Sequence, residues 1–409
     1  MKKKVVVIGA GPAGMMTAGK ASNRGLDVTL FEKNDRIGKK ILISGKGRCN
    51  ITNDTDIEGL IENTPGNGNF LYSAFYTFSN RDLIEFFEKL GLKTKVERGG
   101  RVFPVSDNSK DVNNALLKFL KKYNVDLKLN SPVKEIKTKN NTVEAVVLKD
   151  GTTVYCDSVV LTTGGASYPG TGSTGDGYAM AKALGHTIVD LRPSLVPLIT
   201  EETWVKDLQG LSLKNVSIQI INNKGRKIYS DFGEMLFTHF GVSGPVILSA
   251  SRHILDYGYK DVKLVIDLKP ALSEEKLDER IIRDFEKYSR KQFKNSLDEL
   301  LPKKMISVII GLSDIEPDKF VNQIKKEERR NLVKLLKNLT LKITGSRPIQ
   351  EAIVTAGGVS TDEINPSTME SKIIKGLYFA GEVIDVDAYT GGFNLTIAFS
   401  TGYIAGMNC

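Results

Sequence analysis

The chain has 409 residues, 41% hydrophobic and 26% charged, which leaves room for two or three packed domains and excludes a disordered or low-complexity protein. Three widely spaced cysteines (Cys49, Cys156, Cys409) and three histidines argue against a disulfide framework, a CxxC redox pair and a multi-histidine metal site, so no metal is expected and a cytoplasmic location fits. The net charge of +9 raises the question of a nucleic-acid surface.

Met1 and three lysines precede only four apolar residues before Gly9, too few for a signal peptide; they read as the solvated start of a buried strand. No run approaches the ~20 apolar residues of a membrane span, so no membrane partner is expected. The strand Lys4–Ile8 leads into Gly9-Ala10-Gly11-Pro12-Ala13-Gly14 and then a helix-like stretch. Gly9 permits the tight turn, Gly11 lets backbone approach a pyrophosphate, and Gly14 lets helix sit close on sheet. The helix N-terminus then faces the phosphates. Glu32 follows Gly14 by 18 residues and ends a second strand, where a carboxylate accepts ribose hydroxyls.

Residues 38–53 are too glycine-rich and basic for a core element, and they lack Walker spacing. Here Lys40 and Arg48 are candidates to neutralise pyrophosphate, and Ser44-Gly45 to pass close to a cofactor. Residues 80–91 predict a helix behind an Asn80 cap, and residues 110–123 a second helix. Val133–Lys137, Val143–Leu148 and Thr153–Tyr155 alternate as a three-stranded meander. Ser158–Thr163 then reads as a buried parallel strand ending at Gly164-Gly165.

Pro193 and Pro197 mark a domain crossing. Short strands are predicted over 215–268, with Pro245 opening a helix, followed by helices at 277–288, 303–312 and 318–336. Residues 269–342 hold 18 Lys and Arg against 13 Asp and Glu, interspersed and without interleaved aromatics. That composition favours a solvated helical face over a nucleic-acid groove. The chain returns near residue 346, and Leu377–Ala380 forms an apolar strand ending at Gly381-Glu382. A helix over 395–407 follows Gly391-Gly392-Phe393-Asn394-Leu395.

These elements predict an α/β protein. A discontinuous Rossmann-like domain (1–190 and 346–409) carries an inserted β-barrel-like, strand-rich unit (191–272) and a helical unit (273–345). The distant C-terminal strand–Gly–Glu–turn–helix has no use in a nicotinamide dehydrogenase. It suits FAD, whose long body carries the isoalloxazine to the far end of the site. Glu382 is then placed to accept a ribityl hydroxyl, and the N–H groups of Gly392 to Asn394 to stabilise negative charge on a reduced ring.

The run Gly45-Lys46-Gly47-Arg48-Cys49-Asn50-Ile51-Thr52-Asn53 carries a family resemblance, together with the Gly9–Gly14 turn, Gly100–Pro104, Thr163–Pro169, Phe237–Pro245 and Gly381–Asp385. It resembles the BaiN/aminoacetone-oxidase-like family of NAD(P)/FAD-dependent oxidoreductases over nearly its whole length. The resemblance implies a three-domain flavoprotein with FAD held across residues 9–53 (Lys33, Cys49 and Asn50 included), 133, 162–165 (Thr163, Gly164 and Gly165 included) and 381–395, so Val133 joins the candidates. It also implies either reduction of enone double bonds in steroid-like substrates or oxidation of small amines.

Flavin chemistry leaves the protein to supply or accept one proton. His239 is one candidate donor, and Tyr168 another. Arg101 is a candidate anion binder, and Cys49 a candidate redox thiol without a partner. His186 reads as a helix C-terminal residue and His253 as structural. No second GxGxxG follows, so NADH or NADPH is expected as a transient donor without a domain of its own. A small-molecule substrate completes the expectation. A flavin-dependent amine oxidase and an RNA-directed flavin-binding protein are the alternatives.

Overall fold

A computed structural model describes residues 2–409 except Asp256 and Lys260. The chain divides into two compact units, Met1–Ser194 with Ile349–Cys409, and Leu195–Pro348.

The first unit is built on a five-stranded parallel sheet in the order Leu377–Phe379, Ser158–Leu161, Lys4–Ile8, Asp27–Phe31, Asp126–Lys128. Its inner strands are continuous apolar runs because both faces are covered, as parallel sheets require. Chain order reverses around Lys4–Ile8. The next strand goes to one side and Ser158–Leu161 to the other, so a crevice opens at the carboxyl ends of this central pair.

Helix Pro12–Asn23 lies against the last helix, Phe393–Asn408. Glycines on the last helix permit the close crossing. A Cβ on Gly402 would come within 2.5 Å of the Ala13 carbonyl oxygen, and Thr17 Oγ1 donates to the Gly402 carbonyl at 2.9 Å. Besides an antiparallel pair, Ile188–Ser194 with Val354–Val359, two three-stranded antiparallel sheets flank this core. One is the predicted meander, Val133–Lys139, Thr142–Leu148 and Thr153–Tyr155; the other joins Thr52–Asn53, Arg101–Pro104 and Thr94–Glu97.

The second unit is a closed six-stranded barrel: Leu198–Thr200, Gly241–Ser243, Lys227–Thr238, Ser212–Asn222, Val262–Asp267 and Leu339–Ser346. No break falls at 272/273. The strand that closes the barrel, Leu339–Ser346, comes after helices Glu274–Lys287, Lys303–Leu312 and Lys326–Lys337. Leu277, Ile309 and Leu332 share one core with barrel residues Ile218, Phe237 and Leu341. Strands and helices here therefore make one unit where the sequence suggested two.

Two local expectations change. The helix at 80–89 is capped by Ser79 in a capping box with Asp82, which frees Asn80 to donate to the carbonyls of Asn53 and Thr55. The stretch from 318 is not one helix: Val321–Gln323 is a 3-10 turn, and the helix begins at Lys326 with Glu328 bonding back to the Lys325 N–H.

Candidate functional site

Three strand ends and two helix starts converge on the crevice of the first unit. The turn after Lys4–Ile8 needs its glycines for separate reasons. Gly9 sits at φ +105° with its Cα face 2.7 Å from the Thr162 carbonyl oxygen, measured to a built Cβ. A Cβ on Gly14 would overlap the Gly9 carbonyl oxygen. Gly11 differs: a Cβ there meets nothing within 4 Å, and its backbone is ordinary extended chain at φ −79°. The space beyond Gly11 is open.

The two helices that start at this edge have no side-chain cap. Pro12–Asn23 begins at Gly11, and Phe393–Asn408 begins at Gly392. Asp56, Ser79 and Asn108 cap three other helices of the unit, while Lys39–Ile43, Tyr72–Thr77 and Asp176–Ala183 also start without a side-chain cap. Uncapped first-turn N–H groups and the helix dipole favour an anionic ligand. Gly392 (φ +101°) is forced by contact, since any Cβ would overlap the Thr52 carbonyl. The Asn53 amide donates to the Gly391 carbonyl at 3.1 Å and ties this turn to the glycine-rich loop.

Glu32 is buried at the end of its strand. It accepts from the Ala10 N–H at 2.8 Å and from the Asn34 N–H and side-chain amide at 2.8 and 2.7 Å, so it braces the glycine turn as well as facing it. Lys33 is engaged by Thr174 and by Asp176. Val133 is buried where its strand begins, two residues beyond Ser131, whose N–H bonds the Glu32 carbonyl.

Lys40 and Arg48, expected at pyrophosphate, are paired elsewhere. Lys40 Nζ bonds both carboxylate oxygens of Glu382 at 3.1 and 2.8 Å and Ser167 Oγ at 2.7 Å. Arg48 forms a two-point pair with Glu97 at 2.9 and 3.0 Å, reaches Asp107 at 3.1 Å, and lies 3.9 Å over the Phe103 ring. Its guanidinium holds the Glu97 carboxyl below the usual range. Arg48 reaches its carboxylates because the loop curls back on itself, with Gly45, Lys46, Gly47 and Cys49 all at φ between 56° and 85°, whereas Glu382 comes to Lys40 from 342 residues away.

The remaining candidates separate into bracing and ligand-facing groups. Ser44 Oγ donates to the Ile41 carbonyl, and the Asn394 side chain clamps Ala388 and Tyr389, so neither side chain points at a ligand. Phe393 is buried and Leu395 half-buried. Gly381 (φ +76°) brings its strand end 2.9 Å from the Ala13 methyl, measured to a built Cβ. Gly165 brings the 162–165 turn 3.0 Å from the Glu382 carboxyl in the same measure, with Gly164 alongside. Burial pushes the Cys49 thiol up to about 12, which argues against a redox thiolate. Two buried side-chain oxygens in these loops, Asn50 Oδ1 and Thr163 Oγ1, have no hydrogen-bond partner among the described residues. Asn50 Oδ1 thus lacks a donor, and the Thr163 hydroxyl, which can donate or accept, lacks a partner of either kind.

Tyr168 has φ +52°; its N–H bonds the Gln350 carbonyl, and its own carbonyl receives two bonds from Thr171. Arg101 is exposed and donates to the Arg98 carbonyl. His239 belongs to the other unit. It is exposed in the two-residue hairpin between Lys227–Thr238 and Gly241–Ser243, with its ring 5.0 Å from Phe240. His253 stacks on Tyr229 at 4.2 Å.

The sequence reading missed two groups. Ser167 and the Thr355 N–H both hold Glu382, at 3.3 and 3.0 Å; Ser167 lies in a glycine-rich run that hinted at a site, while Thr355 carried no signal. His186, read as a helix end, bonds Glu363 through Nδ1 at 3.0 Å and Ser371 through Nε2 at 2.9 Å. This looks like a hydrolytic triad but cannot act as one. Ser371 Oγ already accepts the N–H groups of Ile373 and Ile374, so its proton goes to His186 and the oxygen has no free lone pair to attack with.

Residues 3–408 match the HI0933-like protein Rossmann domain family. The chain belongs to that family. This HI0933-like protein is similar to the 3-dehydro-bile acid delta(4,6)-reductase of Clostridium scindens, with 32% identity over 98% of each chain. It is equally similar to the ribosomal RNA dihydrouridine synthase of Haemophilus influenzae, 32% identical over 98% of this chain and 97% of that one. Its fold matches the open conformation of a flavocytochrome c3 fumarate reductase with a TM-score of 0.54, at 19% identity, covering all of this chain and 78% of the other. The HI0933-like protein is a FAD-dependent oxidoreductase with a mixed α/β Rossmann-type fold and a closed barrel. The residues present suit FAD: open space at Gly11, uncapped helix starts, and buried oxygens at Asn50 and Thr163 with no partner among the described residues. Among the described residues no helix is long and apolar enough to cross a membrane.

Proposed function

We propose that this protein reduces a carbon–carbon double bond conjugated to a carbonyl, with NADH or NADPH as the donor. The observation that carries the reading is the pair of uncapped helix starts flanking one crevice, fitted to a long anionic cofactor. When bound, FAD would relay a hydride from the nicotinamide to the substrate. The chain's own task is to bind the cofactor's phosphates at Gly11–Gly14 and to brace the ribose end with Glu32. It also holds Glu382 with Lys40, Ser167 and Thr355, and delivers one proton to the substrate. His239 and Tyr168 are the proposed proton donors, because each carries a transferable proton beside a glycine-rich turn of a family motif. Among the described residues there is no second nucleotide-binding fold, so the donor is proposed to dock transiently.

The first reading of the substrate is a small steroid-like enone, after the bile-acid reductase relative. The second is a uracil ring carried by RNA, whose 5,6 double bond is conjugated to a carbonyl in the same way. It is favoured by a net charge of +9 and by the dihydrouridine synthase relative. Against it, bases of the 269–342 segment are already paired, among them Arg280 with Asp284, Arg329 with Asp278 and Lys319 with Glu328. A reducing cytoplasm is the proposed compartment, in keeping with three buried free thiols.

The test is anaerobic stopped-flow. NADH or NADPH should bleach the flavin, and an enone or an unmodified uridine-rich RNA should restore its colour. Recovery with neither, combined with peroxide release from a small amine in air, would replace this reading with an amine oxidase.

A further inference from the structure

We infer that Lys40 is a positioning and charge-balancing residue for the flavin, acting through Glu382. The inference rests on the reading that FAD lies along the strand ends of the first unit.

Glu382 sits on the Gly381–Val383 turn that ends the strand Leu377–Phe379. Its Oε1 accepts from Lys40 (3.1 Å), Ser167 (3.3 Å) and the Thr355 N–H (3.0 Å). Among the described residues, its Oε2 accepts only from Lys40, at 2.8 Å. Each carboxylate oxygen offers about two acceptor positions, so Oε2, with one bond, keeps one. That oxygen lies on the Gly164 side, 3.9 Å from a Cβ built there, with Ser173 Oγ 3.2 Å from the same point. Three donors thus fix the carboxylate, and the remaining lone pair faces the 162–165 turn.

Lys40 also settles the local charge. Its side chain is 28% exposed and that of Glu382 is 19%, so water screens this pair less than a surface pair. Removing one partner of such a pair leaves an uncompensated charge. The isoalloxazine gains negative charge on reduction. A fixed anion nearby opposes that gain, and a fixed cation assists it. Paired, the two side chains nearly cancel.

The two single substitutions therefore have opposite signs. Lys40→Met leaves Glu382 as an unpaired anion and should make the flavin harder to reduce, by at least tenfold in the reduction equilibrium, or about 30 mV for a two-electron couple. Glu382→Gln leaves Lys40 as an unpaired cation and should raise the potential. The double variant, Lys40→Met with Glu382→Gln, should return toward the parent value, and Lys40→Arg should stay near it. A purely structural contact would shift both single variants the same way.

The experiment is spectroelectrochemical titration of the FAD-loaded proteins, with flavin content measured on each. If Lys40→Met does not fold, Glu382→Gln and the double variant still decide by the rise and its reversal. Shifts of the same sign, or potentials all within 30 mV of the parent, overturn the inference. A Gly11→Val protein run alongside separates the two levels. If it is colourless while potentials elsewhere do not move, only the role of Lys40 fails; if it remains fully yellow, the location of FAD fails with it.

Discussion

Substituting Gly11 by valine separates cofactor binding from folding. The backbone at Gly11 is extended at φ −79°, which valine adopts freely, and among the described residues, chain neighbours aside, no atom lies within 4 Å of the new Cβ. The apoprotein should therefore keep its stability to within about 1 kcal/mol, the range of a substitution that creates no clash or cavity. The new methyls instead fill the space where phosphate meets the uncapped helix start. A loss of at least 100-fold in FAD affinity is expected, about 2.7 kcal/mol. At a FAD concentration 100 times the parent's Kd, the parent gains about 2.7 kcal/mol from ligand linkage and the variant almost none. Thermal melts with and without FAD, together with the flavin absorbance of the purified protein, measure both terms. Gly14→Ala is the internal contrast: its Cβ would overlap the Gly9 carbonyl oxygen, so folding itself should suffer. A Gly11→Val protein that purifies fully flavinated would falsify the placement of the pyrophosphate.

Other consequences can be checked separately. Burial lowers the pKa of His186 from its usual 6.5, so the native state takes up fewer protons than the unfolded chain below that pH. Stability from this group should be intact above pH 6.5 and decline as pH falls toward the native pKa. A His186→Gln variant should lose that part of the slope in melts from pH 7.5 to 5. Cys49, with its thiol pushed up to about 12, should resist alkylation at pH 8 in the native protein, and Cys49→Ser should retain flavin; rapid native labelling would contradict its burial. Gly402→Leu drives a side chain into the Ala13 carbonyl and should destabilise by at least 1–3 kcal/mol, read from the denaturation midpoint. His239→Ala should keep its flavin but turn over more slowly; unchanged turnover would remove it as a proton donor.

Much of the fold was legible in local patterns. The apolar runs at 4–8, 158–161 and 377–379 announced a buried parallel sheet, because only strands covered on both faces lack alternation. The helix at 303–312 was readable from its spacing, and the Gly9–Gly14 turn announced a dinucleotide fold, because its three glycines answer three separate steric demands. The unity of the barrel with its helices was not legible. Barrel closure depends on a strand at 339–346 pairing with 198–200 and 262–267, and pairing partners leave no mark on short alternating segments.

Charge partners were the other gap. A lysine in a glycine-rich run looks equally suited to a phosphate or a carboxylate. Lys40 takes Glu382, 342 residues away, because the sheet brings those two chain segments to the same edge. Arg48 likewise takes Glu97 once the loop curls back through four left-handed residues. Local sequence determined which segments become strands, turns and helix starts, since those depend on steric demands within a few residues. Tertiary structure alone decided which charges neutralise one another, since Coulomb attraction acts on distance in space and is indifferent to separation along the chain.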